Sequence, residues 1–233
     1  MVKALLGILL LIPAATADET FTIRGTVKLD GPVPVIKSNK ALAGDPACCA
    51  LHKQIPARED LVVDPAGGVR WTFVYVKKGL EGKTFDAPAQ PILMDQVGCL
   101  YTPHVTGAMV GQVVNFRNSD PMGHNVHGLP FSNKEFNFGQ PPGSMNPVKF
   151  TTPELMVKVK CDIHPWMATW IGVLDHPFYA VTDAEGKFVI KNLPPGTYTL
   201  GIWHEGLQTL DTKNEAVLEV KADSTANFVL TRK

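Results

Sequence analysis

The chain has 233 residues, 22 of them Lys or Arg and 22 Asp or Glu, so its formal net charge is zero. No basic run or stripe appears, which excludes a nucleic-acid or anionic-membrane surface built on charge. At 45% hydrophobic it can bury a sizeable core in one or two domains, and its 20 Gly and 19 Pro, scattered among Val- and Thr-rich runs, favour short strands joined by turns.

The N-terminus reads as an export leader. Met1, Val2 and Lys3 make a short positive start, residues 4–12 an apolar stretch broken by Pro13, and Ala15-Thr16-Ala17 a cleavage site. The stretch is shorter than the ~20 residues of a membrane span, and no later stretch is long and apolar enough for one. The mature chain is expected to begin near Asp18, in a periplasmic or secreted, oxidising setting.

Residues 21–29 alternate (Phe21, Ile23, Gly25, Val27, Leu29) and end at Asp30-Gly31-Pro32, a strand and a turn. Residues 38–60 read as irregular and contain the Cys48-Cys49 pair. Residues 69–77 predict a strand with Val69, Trp71, Phe73 and Tyr75 on one face. Residues 92–94, 110–117 and 148–161 add extended runs, with turn chemistry at 118–123 and 140–143. No capped amphipathic stretch of helical length stands out, so the pattern is that of a sandwich or barrel. After His176-Pro177 a second set of strands follows, at 178–182, 187–190, 198–203, 216–220 and 225–230. The fold class expected is all-β, with a leader at 1–17, a first unit at 18–176 and a smaller β-sandwich at 177–233.

The chemistry is concentrated in Cys161-Asp162-Ile163-His164-Pro165-Trp166-Met167. A thiolate, an imidazole and a thioether each follow the last by three residues, and His124-Asn125-Val126-His127 lies upstream. Cys, two His and a weak Met are the donor set of a blue copper centre. Cys161 closes an expected strand at 155–160, His164 and Met167 follow in a short loop stiffened by Pro165, and His124 is expected on a separate loop. Each residue has a plainer reading. Cys161 could be a buried thiol and Met167 core filler, but their coincidence with His164 and His124 favours the metal. His127 competes with His124, which is preferred for standing first and adjoining Asn125. His104, His176 and His204 have no soft donor at chelating spacing and are read as hydrogen-bonded structural residues. His52, three residues after Cys49, is explained more simply by a disulfide at that Cys than by a second metal. Trp166 and Trp170 are read first as packing, and second as a dry shell around the site. No Gly-rich phosphate loop, G-x-S-x-G or H-E-x-x-H occurs, so no enzyme is expected.

These residues resemble the cupredoxins. Cys-x-x-His-Pro-x-Met with an upstream His-Asn-Val-His is similar to the short ligand loop of amicyanin and covers residues 105–174. The resemblance implies one type 1 copper ion held by His124, Cys161, His164 and Met167, a Greek-key sandwich, and an Asn125 that ties the two ligand loops together. Asn192-Leu193-Pro194-Pro195-Gly196-Thr197-Tyr198 resembles a carboxypeptidase-regulatory-like (transthyretin-like) sandwich. With residues 98–105 and 175–188, the layout is similar to exported methylamine-utilisation-like proteins. Gly25-Thr26-Val27 and Gly31-Pro32-Val33-Pro34 resemble the opening of the second module, so residues 21–35 could instead lend it a strand. If Cys161 is a ligand, either Cys48 or Cys49 could bridge to Cys99, and the resemblance implies Cys49–Cys99. The function expected is single-electron transport, in transient contact with a cytochrome c or an exported dehydrogenase. The alternatives are copper delivery or storage, or an adhesion or carbohydrate-binding module with structural copper.

Overall fold

The structure, a computed structural model, describes residues 19–207 and 214–232. The expected leader lies outside the described residues. In chain order the elements begin β1 (Phe21–Asp30), α1 (Lys40–Ala43), α2 (Pro46–Cys49), β2 (Phe73–Lys78), β3 (Ile92–Gln96), β4 (Tyr101–Thr102), β5 (Val105–Met109), β6 (Val113–Asn118), β7 (His124–Leu129) and β8 (Phe136–Gln140). They continue with β9 (Met145–Lys149), β10 (Glu154–Lys160), β11 (Ala168–Leu174), β12 (Tyr179–Val181), β13 (Lys187–Leu193), β14 (Gly196–Trp203), β15 (Glu215–Val220), β16 (Ser224–Thr225) and β17 (Phe228–Thr231). The fold is an all-β one, built as two sandwiches.

The first sandwich pairs a sheet of order β5-β11-β10-β7-β8 with one of order β4-β3-β6-β9. Alternate residues of each strand turn inward, so Met94, Phe116, Val126, Val157 and Ile171 share one core with Cys161 and Met167. The second has sheets of order β13-β1-β16, with β17 also on β1, and β12-β2-β14-β15. Its core joins Ile23, Val27 and Val74 to Phe188, Leu200 and Phe228.

Strand pairing runs across the expected boundary at residue 176. β1 runs antiparallel to β13 and parallel to β17, and β2 lies between β12 and β14. Residues 21–30 and 73–78 therefore belong with the C-terminal strands. Alternation along a chain announces a strand but not its partner, and a parallel partner is always remote in sequence. The strand expected at 69–77 is also shorter. Trp71 has a φ of +63°, a left-handed backbone that breaks the ladder, so regular pairing starts at Phe73.

The segment expected to be irregular carries two one-turn helices. The Asn39 side chain caps α1 through the Leu42 N–H, and Asp45 caps α2 through the Ala47 and Cys48 N–H groups, with Pro46 in the first turn. The bridge to Cys99 comes from Cys48, not Cys49. Successive helical residues are turned by about 100°: Cys48 is fully buried, while Cys49 is half-buried and free.

A third cluster forms the seam between the sandwiches, with Phe73, Val105, Met156 and Leu174 at its centre. Gly107 and Gly172 face each other in the β5–β11 pairing. A Cβ on Gly107 would come within 2.2 Å of the Tyr179 ring, and one on Gly172 within 2.5 Å of the Phe73 ring. Those two rings stack at 5.3 Å, so the glycine pair is the slot that receives them. Gly107→Ala is expected to destabilise the fold by about 1–3 kcal/mol through overpacking, seen as a lower denaturation midpoint. An unchanged midpoint would mean that the seam is loosely packed.

Candidate metal centre

β7 decides which upstream histidine faces the core. Side chains alternate along a strand, so His124 and Val126 point inward while Asn125 and His127 point outward. His124 thus begins a strand rather than sitting on the expected loop, and it is 1% exposed. His127 turns away, to Asp162 at 2.9 Å and Glu135 at 3.0 Å.

Cys161 follows the last residue of β10, and the loop behind it closes on itself. The Cys161 N–H donates to the Met167 carbonyl at 3.1 Å, and the Met167 N–H to the His164 carbonyl at 2.9 Å. The His164 N–H points at the Cys161 sulfur at 3.4 Å. Asn125 Oδ1 accepts the Asp162 N–H at 3.0 Å, tying this loop to β7. The Trp166 ring lies 5.1 Å from that of His164, and its N–H donates to the Cys99 carbonyl.

Nδ1 of His124 and Nδ1 of His164 are 3.0 Å apart, and Cys161 Sγ lies 3.9 Å from the latter. One donor atom from each of the three lies within 4.8 Å of the others. A metal–imidazole bond is about 2.0 Å and a metal–thiolate bond about 2.3 Å, so one ion reaches two donors when they are nearer than about 4.0–4.3 Å. The His124–His164 and Cys161–His164 separations meet that limit. The donor set, two imidazoles and a thiol, fits a soft or borderline ion. Met167 is fully buried beside Cys161 in the same core.

The electrostatics favour a deprotonated Cys161 and a neutral His164, but a protonated His124. Burial works to raise the Cys161 thiol, but the His124 ring and the N–H groups of His164, Asn125 and Ile163 outweigh it and hold it below the usual thiol range. Burial, followed by the His124 charge, lowers His164. Burial would lower His124 too, but the Asp120 carboxylate and Cys161 push it up to about 9. His124 is then the imidazolium of the metal-free pair, giving one proton to Asp120 and one to the bare Nδ1 of His164.

Asp120 and the disulfide also belong to this neighbourhood, and neither was placed there from the sequence. Both disulfide sulfurs fall within 4.8 Å of a His164 ring nitrogen. The segment from α1 to His52 is pinned over this end of the sandwich by Cys48–Cys99 and by His52 Nε2 at 2.7 Å from the Gly98 carbonyl. A cavity of about 860 Å³ opens alongside, lined by Pro165, Trp166, Tyr101, His104, Lys158 and Glu205 among others. His104 bonds Glu205 at 2.7 Å, His176 the Val76 carbonyl at 2.9 Å and His204 the Arg70 carbonyl at 3.2 Å.

The carboxypeptidase regulatory-like domain family matches residues 173–231. That match covers β12–β17 but not β1 and β2, which complete the same sandwich. Nothing among curated proteins matches the chain. Similar solved structures include a purple cupredoxin from Nitrosopumilus maritimus, 22% identical over 35% of this chain and 98% of that one, with a TM-score of 0.31. A reduced amicyanin variant is 20% identical over 43% of this chain and 97% of that one, with a TM-score of 0.33. A copper-containing nitrite reductase from Thermus scotoductus is 22% identical over 43% of this chain, with a TM-score of 0.35, and the chain spans only 26% of its length.

An ion entering this site must displace the His124 proton, so binding is coupled to pH. With His124 raised to about 9, the apparent affinity for Cu(II) is expected to rise at least about tenfold per pH unit up to that value. Competition with a chelator across pH 6 to 8 measures it, and a pH-independent affinity would contradict the proton on His124. In the metal-free protein the sign is opposite. The raised pKa stabilises the fold below the ordinary value of 6.5, and that contribution is lost as pH climbs through about 9.

Proposed function

We propose that this chain is an exported, non-catalytic carrier of single electrons that holds one type 1 copper ion through His124, Cys161 and His164, with Met167 as a weak fourth donor. The carrying observation is the meeting of two imidazole nitrogens and one thiol, all buried and all within 4.8 Å of one another. Copper in such a set alternates between Cu(II) and Cu(I) with little change in preferred geometry.

The residues do the rest. β7 holds His124, Cys161 is fixed at the end of β10, and the Asn125–Asp162 hydrogen bond ties β7 to the loop after Cys161. Donors fixed this way have little room to rearrange when the charge changes. The N–H groups aimed at Cys161 stabilise a thiolate. Ile163, Pro165 and Trp166 form an apolar rim, with Ile163 58% exposed, suited to brief docking with a cytochrome c or an exported dehydrogenase. A leader at residues 1–17 would place the chain where the Cys48–Cys99 bridge persists.

Copper delivery or storage uses the same donors, but delivery needs ligands that exchange with a partner's. Here His124 and Cys161 are each 1% exposed and His164 8%, which favours retention.

The Cu(II) protein is expected to show an intense visible band from Cys161-to-copper charge transfer. Cys161→Ser abolishes it, while Met167→Leu keeps it and raises the potential. Stopped-flow mixing with cytochrome c then reads rapid, reversible electron exchange with copper retained. A colourless Cu(II) form, or prompt loss of Cu(I) to a chelator with sluggish exchange, would reverse the reading.

A further inference from the structure

Asp120 lies outside the donor set but grips it from behind. Its Oδ2 is 2.8 Å from Nε2 of His124, the ring nitrogen that faces away from the other donors. The backbone N–H of Gly98 donates to Oδ1 at 2.6 Å and that of Cys99 to Oδ2 at 2.7 Å. Asp120 is 5% exposed, and among the described residues its ion-pair partner is His124. An ionised carboxylate only accepts hydrogen bonds, and here a ring N–H and two amides converge on one.

The two amides are held in place from the other side. Cys99 has a φ of +54°, a left-handed backbone sparsely populated by residues with a Cβ. Its sulfur is bonded to Cys48 of α2, and its carbonyl accepts the Trp166 N–H at 3.0 Å. A continuous chain of contacts therefore runs from the helical segment through the disulfide, the Gly98 and Cys99 amides and Asp120 to His124.

We propose that Asp120 is the positioning residue of the copper site, and that the Cys48–Cys99 loop is the clamp that aims it. The inference rests on the copper reading above. A carboxylate accepting Nε2–H fixes the tautomer, so Nδ1 is the nitrogen left to bind metal. It also makes the imidazole a stronger donor. A negative charge one ring away from the ion stabilises Cu(II) more than Cu(I), and so holds the reduction potential down.

The test compares the full-length copper protein with Asp120→Asn, which keeps the shape and one acceptor oxygen but removes the charge. Loss of such an outer partner typically costs about 10–100-fold in metal affinity. We expect that loss for Cu(II), with Cu(I) affinity changed by no more than a few-fold. For a one-electron couple, about 59 mV per tenfold, the midpoint potential then rises by about 60–120 mV. Cys48→Ser with Cys99→Ser is expected to shift it in the same direction, by less. Should that pair fail to fold, Asp120→Asn alone decides. A potential and Cu(II) affinity equal to the parent's, with only a lower unfolding midpoint, would show that Asp120 is merely structural and overturn the proposal. A parent protein that forms no blue Cu(II) species would remove the copper reading, and this inference with it, before any variant is compared.

Discussion

A thiol and two imidazoles can be packed inside an apolar core only if something satisfies their lone pairs. Unpaired polar groups in such surroundings cost several kcal/mol. In this chain the three meet one another, with the imidazole nitrogens 3.0 Å apart and the sulfur 3.9 Å from one of them. Without metal a proton shared between the rings serves. With metal one cation satisfies all three. The arrangement of β7, β10 and the loop after Cys161 is built around that requirement.

The surrounding structure explains how the requirement is met without strain on the donors. Strand alternation sends His124 inward, and the Cys161 loop is closed by its own backbone hydrogen bonds. Asp120 takes the far side of the His124 ring, and the disulfide-pinned segment from α1 to His52 lies over the same end. Further away, the second sandwich seats its Phe73 and Tyr179 rings in the slot left by Gly107 and Gly172. Its sheets take β1 and β2 from the N-terminal part of the chain, so the second sandwich is built from residues on both sides of the first in sequence.

How much of this could be read from the sequence depended on distance along the chain. The Cys161–Met167 loop is local, and its three-residue spacing is visible in the sequence. The choice of His124 over His127 is a matter of strand parity, legible once β7 is seen to begin at His124. The caps of α1 and α2 were also present, as Asn39 and as Asp45-Pro46, but one-turn helices leave no periodicity to read. What sequence did not reveal was non-local. The alternation of β1 names no partner, and the resemblance of Gly25-Thr26-Val27 to the opening of the second module pointed to that sandwich but not to β13 and β17 within it. Cys48 and Cys49 are neighbours, and only the rotation of α2 separates the bridged one from the free one. Asp120 read as turn chemistry, since a carboxylate four residues before a histidine identifies a partner only when the backbone between them folds back.

The central claim is that one ion sits between His124, Cys161 and His164. X-ray absorption at the copper edge of the Cu(II) and Cu(I) proteins tests it most directly. One short copper–sulfur bond and two imidazole nitrogens are expected in both oxidation states, with only small changes on reduction. A copper shell without the short sulfur, or one that loses an imidazole on reduction, would contradict it.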